Sequence, residues 1–383
     1  MSLTAFLSKH NQSVLRASLL FMLLALLAAT LWPFNPYPSN DVAWIGDANG
    51  LRFGRHGAIL STGEFGKSVS RHSFACSLEV WIEPSTVDDS NVILDFYHTP
   101  KLTDFSLRQD GDELQILRDV PDDRPYLRKE IILAEQVFAA GKPAHLVVTS
   151  GATGTLVFMD GRQIVQDSRF SFMLGSMSGR LIFGDSTVRN DNWSGVLRGL
   201  AIYDRELTQQ EAALDYSAWT KMAWAKANNS HLVALFTFDG RSGPIVHNRV
   251  SGPDLTIPVH YSLVRHSFLT PPWREYNPSL EYVKDIVENV IGFMPLGFLL
   301  CAYLSIVRKW DRAIWKTMGL CVALSLFIEI VQAFLPTRTS GLTDVITNGT
   351  GGLLGAFFFN LKLTRAIFRG IGLEGPLSEL KPV

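Results

Sequence analysis

Cysteine is scarce, with three in 383 residues. Cys301 and Cys321 fall in apolar stretches and Cys76 stands alone in the middle of the chain, so no internal disulfide braces that middle region. Net charge is almost nil, 35 Lys and Arg against 36 Asp and Glu, and no polyanion partner such as nucleic acid is expected. Also missing are a His and Cys cluster of zinc spacing, a phosphate-cradling glycine loop and a nucleophile elbow, so no motif supports an enzyme.

The hydrophobic residues, 47% of the chain, collect at its two ends. Between Arg16 and Asn35 runs the uncharged "ASLLFMLLALLAATLWPF", long enough for a hydrocarbon core of about 30 Å. Three more candidate spans cover roughly Ile286 to Val307, Thr317 to Leu335 and Val345 to Leu361, which predicts four transmembrane helices. Basic residues gather at one set of ends: Lys9 and Arg16, then Arg308, Lys309, Arg312 and Lys316, then Lys362, Arg365 and Arg369. The positive-inside rule puts both termini in the cytoplasm and exports the region from about Asn35 to Lys284. A cleaved signal peptide is the competing reading of the first span, and its loss would remove only one tether.

From about Val42 to Arg265, short alternating segments rich in Val, Ile, Leu and Phe are separated by Gly, Asp, Asn and Ser clusters. This pattern predicts an all-β sandwich large enough to bury its own core. "KPAHLVVTSGATGTLVFMDGRQIV" (142–165), "WSGVLRGLAIYDRELTQQEA" (193–212) and "SLEVWIEP" (77–84), the last with an inward Trp81, resemble the hairpin, closing strand and early core strand of the concanavalin A-like, laminin-G-like jelly roll family. The resemblance implies glycan or protein binding, with calcium in some members. Glu79 and Glu83 flank Trp81 and read as solvent-face acids; no acid, x, acid, x, acid strand occurs, which argues against glycoside hydrolysis. Asp185, Asn190, Asp191 and Asn192 offer oxygens of the type calcium prefers, but turn chemistry alone explains such residues. No cofactor is therefore expected, calcium in the jelly roll being the alternative. Tyr97, Trp193 and Tyr203 could stack on sugar rings if exposed, and would otherwise be core. "LTPPWREYNPSLEY" (269–282) reads as an extended connector back to the membrane surface, its aromatics at headgroup level.

Polar residues within spans are costly and therefore informative. Asp285 and Asn289, with Gly292, share a helical face; so do Ser325, Glu329 and Gln332; so do Asp344, Asn348, Gly352 and Gly355. Glu329 lies about 9 Å before the outer end of its span at about 1.5 Å per residue, and the other acids occupy opening turns of helices that start outside. Arg338 in the hairpin "LPTRTSGLTD" is near enough in sequence to reach the same mouth. The expected product is an outward-facing polar pocket of Asp285, Asn289, Ser325, Glu329, Gln332, Arg338, Asp344 and Asn348, with Gly351, Gly352 and Gly355 packing helices.

These blocks resemble the VanZ-like membrane protein family. Asp285, Asn289 and "FMPLGF" (293–298) match its opening block; Ser325, Glu329, Gln332, Pro336 and Arg338 its second; Asp344, Asn348, Gly351 and Gly355 its third. The departure is the long region between the first and second spans, where the family has a short loop. The resemblance implies envelope association, with a link to glycopeptide resistance, and supplies no reaction.

The expected architecture is mixed: a four-helix transmembrane bundle with a jelly roll inserted between its first and second spans. Residues 1–14 form a cytoplasmic tail, 15–34 the first span, 42–265 the jelly roll, 266–284 a connector, 285–363 the other three spans and 364–383 a second cytoplasmic tail. Three functions fit this plan. The first is a receptor or accessory factor at the inner membrane for an envelope lipid head, lipid-linked glycan or glycopeptide, with the jelly roll holding carbohydrate or an envelope protein. The second is an enzyme with Glu329 or Asp344 as general base and Arg338 on a phosphate. The third is an anchor displaying an adhesive domain.

Overall fold

The structure, a computed structural model, describes residues 3–67, 75–88, 90–99, 104–120, 128–187, 191–221, 231–276 and 280–374. The chain divides into two compact units, Tyr37–His266 and the pair of segments Met1–Pro36 and Ser267–Val383.

The first unit is a β-sandwich. Its strands in chain order are β1 (Val42–Trp44), β2 (Leu51–Phe53), β3 (Ile59–Ser61), β4 (Cys76–Pro84), β5 (Ser90–Tyr97), β6 (Phe105–Asp110), β7 (Glu113–Val120) and β8 (Arg128–Ala134). They continue with β9 (Ala144–Gly151), β10 (Gly154–Met159), β11 (Arg162–Asp167), β12 (Arg180–Phe183), β13 (Gly195–Tyr203), β14 (Leu232–Phe236), β15 (Ile245–Val246) and β16 (Leu255–Thr256). One sheet runs β1-β2-β13-β4-β9-β10-β11, with β14 also on β13; the other runs β15-β16-β3-β12-β5-β6-β7-β8. Leu78, Val80, Ile82, Leu146 and Val148 of the first meet Ile93, Leu94, Phe96, Leu107 and Ile116 of the second in one core. Asp160 and Gly161 turn β10 into β11 with φ of 50° and 77°, the left-handed pair that suits a tight hairpin.

Strand β4 shows why period two does not by itself say which face is inside. Leu78, Val80 and Ile82 point between the sheets, so Trp81 and Glu79 point the other way. That outer face is covered by α1 (Gln209–Thr220), which starts on a Thr208–Glu211 capping box and buries Ala212, Ala218 and Trp219. Gly199 on β13 makes the close approach feasible, because a Cβ there would sit 1.4 Å from the Trp219 ring. Trp81 is thus not an inter-sheet residue, and Glu79 is fully buried rather than on a solvent face. Glu79 Oε1 pairs with His145 Nε2 at 2.8 Å and its Oε2 accepts from the Tyr203 hydroxyl at 2.9 Å. Glu83 is partly shielded by Arg198, which donates to it at 2.6 Å. Tyr97, Trp193 and Tyr203 are all buried, so none offers a face for a sugar ring.

The second unit is helical: α2 (Leu3–Leu31), α3 (Pro272–Glu275), α4 (Leu280–Ile306), α5 (Ala313–Gln332), α6 (Leu342–Asn360) and α7 (Lys362–Gly370). Helix α2 begins at Leu3, with a non-helical backbone at His10, so residues expected as a tail are helical. The connector is partly helical too, since α3 lies within it. Among the described residues three helical stretches, not four, are long and apolar enough to cross a membrane: Lys9–Leu31, Tyr282–Ile306 and Ala313–Gln332. The segment expected as the fourth span forms α6, which falls short of that measure because Thr343, Asp344, Thr347, Asn348, Thr350 and four glycines lower its apolar content. Leu26 packs with Phe293, Leu296, Cys321 and Ile328, which joins α2 to α4 and α5.

Candidate functional site

Helices α4 and α6 touch backbone to backbone. A Cβ on Gly351 would stand 2.3 Å from the Val290 carbonyl oxygen, and one on Gly355 2.0 Å from that of Met294. Gly297 of α4 meets the backbone of Gly352 in the same way, and Gly352 also faces the Cys321 side chain on α5. Small residues allow this approach where no hydrophobic effect drives helices together. Gly292, expected on the polar face, has nothing within 4 Å of its Cβ position.

The close seam positions a polar cluster drawn from three helices. Asn289 on α4 donates its amide to Asp344 Oδ1 on α6 at 2.8 Å. One turn further along α6, Asn348 donates to the Ser325 hydroxyl on α5 at 2.9 Å. Glu329, one turn from Ser325 and 1% exposed, accepts the Gly341 amide on Oε2 at 2.8 Å. Asp285 is exposed, one turn before Asn289, and its charge acts on Asp344. Buried Glu329, Ser325 and Asn348 therefore lie behind half-buried Asn289 and Asp344.

Six of the eight expected residues, Asp285, Asn289, Ser325, Glu329, Asp344 and Asn348, are in this cluster. The other two turn elsewhere. Gln332 donates to the Thr30 carbonyl at 3.0 Å and Arg338 to the Trp32 carbonyl at 2.5 Å, so both hold the C-terminal end of α2. Cations and donors are favoured there because the last carbonyls of a helix lack intrahelical partners.

Glu275 was not expected from the sequence, where its connector reads as an aromatic anchor. Its Oε2 accepts from the Thr343 amide at 3.2 Å and from the Thr343 hydroxyl. Helix α6 needs this help, since its N-cap is Gly341, which has no side chain to satisfy the first amides. Two acids from elsewhere, Glu329 and Glu275, replace the missing cap, and negative charge is favourable at that helix end. The only signal in the sequence is "SGLTD", a helix start without an N-cap side chain immediately before the helix.

In the sandwich, Asp185, Asp191 and Asn192, considered for calcium, are engaged internally. Burial pushes the Asp185 carboxyl up to about 8. Its Oδ2 accepts from the Tyr261 hydroxyl at 2.5 Å and its Oδ1 from the amides of Ser186 and Asp191 at 2.7 and 3.1 Å. Asp191 pairs with Arg108 at 3.4 Å, and Asn192 donates to the Tyr261 hydroxyl at 3.2 Å. Asn190 lies outside the described residues, among which no group of three or more His, Cys, Asp or Glu is arranged for a metal ion.

Comparison with known proteins finds two family matches, one of which begins within the sandwich unit. Residues 231–363 match the VanZ/LLP1 family, and residues 59–213 match the concanavalin A-like lectin/glucanases superfamily. Protein VanZ of Enterococcus faecium is 33% identical over 78 residues, which cover 20% of this chain and 45% of that protein. The chain thus spans under half the length of this curated relative. Among solved structures, the binding domain of Paraclostridial Mosquitocidal Protein 1 aligns with a TM-score of 0.37 and 13% identity, covering 48% of this chain and 47% of that one. A SAP-like pentraxin from Limulus polyphemus aligns with a TM-score of 0.34 and 12% identity, covering 58% and 93%.

Proposed function

We propose that this membrane protein, which joins a VanZ-like helical domain to a concanavalin A-like sandwich, is a non-catalytic receptor or accessory factor of the cell envelope. In this reading α2, α4, α5 and α6 all cross the inner membrane, both termini are cytoplasmic, and the sandwich is inserted between the first two spans and exported. The polar cluster captures the head of an envelope lipid, a lipid-linked glycan or a glycopeptide at the outer leaflet. The sandwich holds saccharide or a partner protein nearby, and a shared chain raises the effective concentration of one site at the other. The orientation is supported by the basic residues flanking the opposite helix ends.

The observation that carries the reading is the convergence of Asn289, Ser325, Glu329, Asp344 and Asn348 from three helices. Interhelical hydrogen bonds in membranes average only about 0.6 kcal/mol, so stabilisation is a weak reason to keep such groups. An enzyme acting on a phosphate-bearing lipid is less well supported, because Arg338, which that reading needs at the cluster, donates to the Trp32 carbonyl. The test is co-purification. Wild type and the Glu329→Gln and Asp344→Asn variants are extracted in native nanodiscs, and the retained lipids and lipid-linked intermediates are quantified by mass spectrometry. Wild type should enrich a species that both variants lose; identical profiles would sink the receptor reading. A glycan array with residues 37–266 asks the separate question of what the sandwich holds.

A further inference from the structure

The helical cluster gathers the carboxyls of Glu275, Glu329 and Asp344 around the start of α6. The charge of Asp344 acts on Glu329, and the charge of Glu275 acts on both. Among the described residues no Lys, Arg or His pairs with Glu275, Glu329 or Asp344. Lys284 instead reaches Glu288 at 3.7 Å, and Arg338 is held at the end of α2.

A second, independent feature lies on the same stripe of α6. Asn348 is 4% exposed; its Nδ2 is bonded to Ser325, whereas its Oδ1 has no hydrogen-bond partner. It faces the α5–α6 seam one turn from Asp344, and Ser325 is one turn from Glu329. A buried acceptor left without a donor costs free energy, so this atom calls for a donor from outside the chain.

We propose that the cluster binds a primary ammonium group, with Glu329 and Asp344 supplying charge and Asn348 Oδ1 an additional acceptor. This deepens the receptor reading and rests on it. An ammonium presents one positive charge and three N–H donors, which matches two carboxyls and an amide oxygen. A phosphate is an acceptor-only anion and would meet acids that no base pairs with among the described residues. A quaternary ammonium carries the charge but no N–H to satisfy Asn348.

The experiment uses the purified full chain in detergent micelles and four probes: n-octylammonium, and short-chain phosphatidylethanolamine, phosphatidylcholine and phosphatidylglycerol. Binding is read by calorimetry and thermal shift. Both primary amines should bind, with the choline and glycerol lipids about tenfold or more weaker, and Glu329→Gln and Asp344→Asn should each lose about tenfold for the amines. Binding of phosphatidylethanolamine alone would support an aminolipid as the source; binding of both amines would support the ammonium group irrespective of its carrier. Phosphatidylglycerol binding as tightly as phosphatidylethanolamine, or neither amine binding, would overturn the assignment. If phosphatidylglycerol binding is lost in both variants, the receptor reading stands while the ammonium assignment falls. The selectivity of wild type among the probes needs no variant, so it survives a misfolded mutant.

Discussion

Replacing Gly351 by alanine tests whether the glycine seam holds the cluster together. The new Cβ would stand 2.3 Å from the Val290 carbonyl oxygen and 3.0 Å from the Val290 Cα. Carbon and oxygen ordinarily approach to about 3.3 Å, so α4 and α6 must part locally by about 1 Å. Both partners are backbone, which cannot yield by changing rotamer. Val290 adjoins Asn289, whose 2.8 Å bond to Asp344 would stretch beyond hydrogen-bonding distance. Overpacking costs about 1–3 kcal/mol, and the lost interhelical bond adds about 0.6 kcal/mol. Less a gain of up to about 1 kcal/mol in helix propensity on replacing glycine, the net expected destabilisation is about 0.6–3.6 kcal/mol. The control is Gly292→Ala on α4, where the Cβ meets nothing within 4 Å. It should be neutral or stabilising by up to about 1 kcal/mol through helix propensity. Reversible unfolding of the full chain in mixed micelles, titrated with SDS and followed by circular dichroism, measures both. A Gly351→Ala variant within about 0.5 kcal/mol of wild type, or a Gly292→Ala variant equally damaged, would refute the close-packing argument.

Further predictions concern the sandwich. Burial raises Asp185 to about 8 from an ordinary 3.8, so the folded state holds a proton that the unfolded chain releases. Stability of a 37–266 fragment should therefore fall as pH rises through the window between those values and level off above it; Asp185→Asn should flatten the profile, and an unchanged slope would show that another group is responsible. Glu79→Ala strips His145 Nε2 and the Tyr203 hydroxyl of their buried partner and should cost about 3 kcal/mol or more, read from the urea midpoint. Thr208→Ala removes half of the capping box of α1 and should cost about 1 kcal/mol; no change in the unfolding midpoint would argue that the box does not anchor the helix.

Strand alternation made the sandwich legible, and the charge-free stretches marked the long helices. The i, i+4 pairs Asp285–Asn289, Ser325–Glu329 and Asp344–Asn348 likewise marked three faces that meet, because helical periodicity is a local property of the chain. Hydropathy was less informative for α6, where the residues that build the seam are the ones that dilute its apolar content.

What the sequence determined by itself was the order of elements and the polar face of each helix, since both follow from spacing within a few residues. Tertiary structure alone decided which face of β4 is internal, because α1, joined after β13, covers the side bearing Glu79 and Trp81. It also decided that Gln332 and Arg338 serve carbonyls of a helix about three hundred positions away, with sequence separations of 302 and 306. Glu275 emerged in the same way, as the cap that Gly341 cannot supply. A main-chain amide or carbonyl carries no side-chain identity, so a partner that binds one leaves no trace in the sequence until the chain has folded around it.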